Sequence, residues 1–81
     1  MKLWLITQNE VQGFDTFDAA VVAAETALDA RRIHPKDGFT GDSLLVEKTW
    51  ATSLKNVSCR WIGMARPGMG AGVILSSFNA G

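Results

Sequence analysis

The sequence is poor in the residues that build most enzymatic centres. It has one cysteine, Cys59, so no intrachain disulfide can form and a reducing cytoplasm is the natural home. A single histidine, His34, beside that single cysteine excludes most intrachain zinc sites. Neither sign of charge is in excess. Eight basic residues balance eight acidic ones, which argues against broad contact with a nucleic-acid backbone. No apolar run approaches the length of a membrane-spanning helix. The N-terminal run, Leu3 to Ile6, is too short for the core of a signal peptide. No internal repeat or low-complexity segment is present, and no metal or other cofactor is called for.

What remains is a chain of 81 residues, 47% apolar and 20% charged, which reads as one folded domain spanning 1–81. A domain of this size hides only roughly 60% of its unfolded surface, so self-association is expected to supply missing burial.

The order of elements follows from local patterns. "KLWLITQ" (2–8) alternates Lys2, Trp4, Ile6 and Gln8 with Leu3, Leu5 and Thr7. Both faces are largely apolar, which predicts a central strand. "NEVQGFDT" (9–16) carries the turn formers Asn9, Gly13 and Asp15. The stretch from 17 to 33 is ambiguous. Its alanines favour one helix from near Asp18, whereas Val21 and Val22 favour a strand. Thr26 followed by Asp29 resembles a capping box, which predicts a strand over 17–25 and a helix over 27–33. Pro35 stops that helix, and Arg31 and Arg32 fall in its last turn.

Beyond a loop at 36–42, residues 43–50 suit an extended edge segment and 51–56 a turn or short helical turn. "VSCRWIGMA" (57–65) reads as a strand with Val57, Cys59 and Trp61 on one face and Ser58, Arg60, Ile62 and Met64 on the other. "AGVILSSF" (71–78) reads as the next strand. The short "RPGMG" (66–70) between them predicts a hairpin. The expected fold is α+β, a β-β-α-β-β single domain, mainly antiparallel sheet with one short helix.

The glycine-rich stretch "RWIGMARPGMGAG" (60–72) invites comparison with phosphate-binding loops. Those loops lead into a helix whose first amides face the phosphate. Here a strand-like "VILSSF" follows, and the lysine and hydroxyl of the Walker motif are missing. A plain turn is the simpler reading. The functional alternative places Arg66 at the rim of an anion site formed with the amides of Gly68 to Gly70.

Other residues carry paired readings. His34 before Pro35 suits a capping or solvent residue more than a general base. Cys59, Trp4 and Trp61 suit core strands, and Asp15 and Asp18 suit a turn former and a solvated residue more than a catalytic pair. Trp50, in a polar region, divides between local packing and a partly exposed anchor for a base or a partner. Arg31 and Arg32, with Lys36, form either a solvated face or a phosphate-recognising cluster. No nucleophile–base pair stands out, so no catalytic residue is assigned. The candidate ligand-binding set is Arg66, Arg31, Arg32, Arg60 and Trp50, with Arg66 ranked above Arg60.

Taken together, "MKLWLITQ", "FDTFDAAVVAAE", "ARRIHP" and "AGVILSSFNAG" resemble a set of small phage and prophage proteins. The resemblance covers the two ends and the helix region and leaves 36–56 unmatched. In the proteins it resembles, the aromatic positions of "FDTFD" are usually tyrosines, where this chain has Phe14 and Phe17. The resemblance implies a context rather than a chemistry. Such proteins are similar to inhibitors of host defence, some of them sponges that sequester nucleotide immune signals, as in Thoeris and cyclic-oligonucleotide anti-defence. The implied function is non-enzymatic capture of a small nucleotide-derived signal at a homo-oligomer interface in the host cytoplasm, away from membrane and nucleic acid. The alternative is a protein–protein inhibitor of a host defence or replication enzyme.

Overall fold

The computed structural model describes residues 1–36 and 49–79. In chain order it contains strand β1 (Lys2–Gln8), strand β2 (Thr16–Ala24), helix α1 (Ala27–Arg31), a 3-10 turn (Leu54–Asn56), strand β3 (Val57–Met64) and strand β4 (Gly72–Asn79). The strands form one antiparallel sheet in the order β3-β1-β2-β4. Together with the short helix, this is an α+β architecture. The expected extended segment at 43–50 lies, up to residue 48, outside the described residues.

β1 takes a central place, as its two apolar faces require. It pairs with β2 through a loop that its own Gln8 organises. The Gln8 side chain accepts from the Val11 amide at 2.8 Å and donates to the Val11 carbonyl at 2.6 Å and the Phe17 carbonyl at 3.0 Å. Asp15 closes the loop with φ of 61°, a left-handed conformation that short polar side chains tolerate better than most.

Thr26 caps α1 as its spacing predicts, accepting from the Asp29 amide at 3.1 Å. The helix is shorter than expected and ends at Arg31 rather than Ile33. The amide of Ile33 bonds to the Ala30 carbonyl at 3.2 Å, which tightens the last turn before His34 and Pro35 leave helical geometry.

The hairpin expected at 66–70 does not form. β3 and β4 occupy opposite edges of the sheet. The connection 65–71 carries the chain across the sheet end, anchored where the Ala65 amide donates to the Met1 carbonyl at 2.9 Å. A short connection limits reach but does not force pairing. Extended chain spans about 3.3 Å per residue, and three inter-strand spacings need only about 14 Å. β1 and β2 pair with each other at the centre of the sheet, so β3 and β4 take their outer sides. Gly68, at φ of 87°, supplies the left-handed turn between Arg66 and Met69.

The core lies on one face of the sheet. Ile6, Ala20 and Val22 meet Ala30 of α1, Ile33, Trp50 and Val57 there. Trp50 is only 2% exposed, so it is a core residue and not a surface anchor. Trp61, expected in the core, is 57% exposed. It keeps the Trp4 side of the pair but lies on an edge strand, just before a β-bulge. Trp61 pairs with Trp4 and Gly63 with Leu3, leaving Ile62 without a partner in the register. Past the bulge the alternation inverts, and Met64 falls opposite Lys2 rather than on the Arg60 face.

Candidate ligand-binding face

The register places a second set of side chains on the face opposite the core. They are Leu3, Leu5 and Thr7 of β1, Ala19, Val21 and Ala23 of β2, Ser58 and Arg60 of β3, and Leu75 and Ser77 of β4. Leu3, Leu5 and Val21 are half-buried, and Leu75 is 69% exposed. Two grooves meet at Leu5. One, of about 340 Å³, runs between Leu5, Ala19, Val21, Leu75 and Ser77. The other, of about 330 Å³, is lined by Leu5, Thr7, Ser58, Cys59 and Arg60.

This face therefore has an aliphatic floor toward β4 and a polar end toward β3. Arg60 is its one charged residue among those the register places there. An exposed guanidinium offers five donors in a planar fork suited to phosphate or carboxylate. Ser58 and Thr7 face each other across β1 and β3 and add two hydroxyls beside it. The arrangement can hold an anion at one end and an apolar group at the other.

The structure disperses the arginines that the sequence suggested as a set. Arg31 is committed to the fold: Nε donates to the Val57 carbonyl at 3.1 Å and Nη2 to the Leu54 carbonyl at 2.6 Å. Arg32 is exposed at the C-terminal cap of α1. Arg66 is exposed in the crossing connection, where its carbonyl accepts from the Met69 amide at 3.1 Å. Of these arginines, Arg60 lines one of the two grooves described above. Trp50 is withdrawn into the core.

His34 is buried rather than solvated. Its Nδ1 accepts from the Lys36 amide at 3.0 Å, and its ring lies T-shaped to that of Phe17 with centroids 6.2 Å apart. Cys59 is half-buried, and burial pushes its thiol up while the nearby Arg31 charge pulls the other way. A thiol held up in this way is a poor nucleophile at neutral pH. A further concavity of about 300 Å³ lies at the far end of the sheet between Asp15, Phe17, Lys36, Thr49 and Phe78. Thr49 Oγ1 is buried without a partner among the described residues.

Glu10 is the residue that sequence reasoning missed. Its carboxylate accepts from the Asn56 side chain at 2.8 Å, from the Thr52 amide at 3.0 Å and from the Thr52 hydroxyl. The hydrogen bonds from Asn56 and Thr52 hold its pKa down to about 2. No local signal marks this contact, because its partners lie 42 and 46 positions away.

Compared with family models, curated proteins and solved structures, the chain matches none. Among the described residues the fold is a small α+β architecture, a four-stranded antiparallel sheet with one short helix. Among the described residues no helix is long and apolar enough to cross a membrane.

Proposed function

We propose that the chain is a non-enzymatic binding protein that captures a small anionic ligand on its open sheet face, beside an interface between copies of itself. A nucleotide-derived signal is the ligand this reading favours, in keeping with the phage anti-defence proteins that the sequence resembles. The observation that carries the proposal is the placement of Arg60, with Ser58 and Thr7, at the polar end of a groove whose other end is aliphatic. Phosphate on the guanidinium and the remainder of the ligand along Leu5, Val21 and Leu75 is the arrangement that matches charge to charge.

The test is native mass spectrometry of protein taken gently from cells, followed by calorimetric titration of any retained ligand. Arg60→Ala is expected to weaken binding by about 1.5–3 kcal/mol, the worth of a charge-assisted hydrogen bond. Arg32→Ala and Arg66→Ala are expected to change it by less than about 0.5 kcal/mol, the usual size of a surface substitution. Equal loss in all three variants would sink the Arg60 assignment.

A second reading rests on a different observation. Trp61, Ile62 and Met64 on β3, and Ile74, Leu75 and Phe78 on β4, are exposed large apolar side chains on the two sheet edges. Such edges suit docking on a host protein. The edge residues take over the anchoring role suggested for Trp50.

A further inference from the structure

We infer that the outer edge of β4 is the seam along which a second copy of this chain pairs, antiparallel and about a two-fold axis. The inference rests on the homo-oligomer reading proposed above and names the surface that reading requires.

The two sheet edges are not equivalent. Natural edge strands are guarded against pairing by charges, prolines, bulges or covering elements. β3 is guarded several ways. Arg60 puts a charge on it, a bulge displaces Ile62, and the Arg31 guanidinium covers the Val57 carbonyl at its start. β4, "GVILSSFN", has no charged residue and no proline. Its one guard is a bulge at Ile74, where the register skips from Leu75 to Val73 opposite Val21 and Val22. Leu75–Asn79 is continuous on β4 itself, since the second irregularity of the pair, at Asp18, falls on β2. Its outer side has no strand partner among the described residues.

Side chains of β4 from both sheet faces are accessible. Leu75 is 69% exposed, Ile74 and Phe78 each 46%. Pairing of β4 with another strand would cover both rows at once, and cross-strand apolar pairs are the unit of sheet stabilisation. The occupant is a second copy because the strand is neutral. It has no charge with which to select a charged foreign segment, and it opposes no like charge when it faces itself. A two-fold axis makes two identical strands antiparallel, the direction already used throughout this sheet. The 340 Å³ groove gives a second reason. Its outer wall is Leu75, Ser76 and Ser77, so a second β4 would extend its floor and bring the groove to the interface.

The experiment is size-exclusion chromatography with light scattering on the full chain across micromolar concentrations, with far-UV circular dichroism melts to verify folding. The wild type is expected at twice the 8.7 kDa chain mass. Ile74→Lys and Leu75→Lys are expected to shift it to the single-chain mass, and Ile62→Lys on the other edge to leave the dimer intact. Should a lysine variant fail to fold, hydrogen exchange on the wild type decides: β4 amides gain protection with rising concentration and β3 amides do not. A wild type that stays monomeric removes both the seam and the oligomer reading. An oligomer whose mass ignores the β4 lysines, or whose concentration-dependent protection falls on β3, overturns the seam alone.

Discussion

Glu10 is a fully exposed acid that ties the β1–β2 loop to the segment entering β3. Its carboxyl has an ordinary pKa of 4.5 and sits near 2 in the folded chain. A carboxyl held down by folding contributes stability that is complete above the unfolded value and lost as pH falls through the folded one. Wild type is therefore expected to lose stability between pH 4.5 and about 2 by more than Glu10→Gln does. Denaturant midpoints of both proteins across that window check this, and identical pH profiles would remove Glu10 from the account. Trp50 shows the limit of reading single residues. Apart from Ala51 its near neighbours, Lys48, Thr49 and Thr52, are polar, yet it is buried against side chains that come from distant strands.

At the scale of elements, α1 is too short to stand by itself, since isolated helices need about 12–15 residues even with favourable sequences. Its position depends on packing of Ala30 and on Arg31, which reaches two carbonyls at the start of β3. Arg31→Ala is expected to destabilise the fold by about 2 kcal/mol, because it leaves those carbonyls without their charged donor. Arg31→Lys keeps the charge but not the two-pronged geometry and is expected to fall between the two. The midpoint of chemical unfolding should move while its slope stays constant. An unchanged midpoint in Arg31→Ala would show that the clamp contributes nothing. The same clamp explains why Arg31 does not serve the binding face.

At the scale of the whole molecule, the described core lies on one face of the sheet, and the candidate chemistry lies on the other. An arginine, two hydroxyls and an aliphatic floor suit binding, and the reading proposed above is non-enzymatic. Incubation with nucleotides and cyclic nucleotides is expected to leave them chemically intact, with any retained ligand recoverable after heat denaturation. Chromatography of the mixtures provides the check. Steady turnover would overturn the non-enzyme reading and turn attention to His34, Asp15 and Asp18.

Local signals in the sequence were enough for the strands and the cap of the helix. Alternation marks β1 and β3, and Thr26 with Asp29 resolves strand from helix in an alanine-rich stretch. These signals work because each involves residues a few positions apart. The same alternation named Arg60 but ranked it below Arg66, because it put Arg60 on one face with Ile62 and Met64 as a packed side chain; the bulge at Ile62 takes Met64 off that face. Only the tertiary structure decided that β3 and β4 lie on opposite edges, which arginine lines a groove, and where Trp50 and Trp61 reside. Strand order is a competition among pairings separated by tens of residues. The β1–β2 pair takes the centre of the sheet, and every later strand must accept the edge that remains.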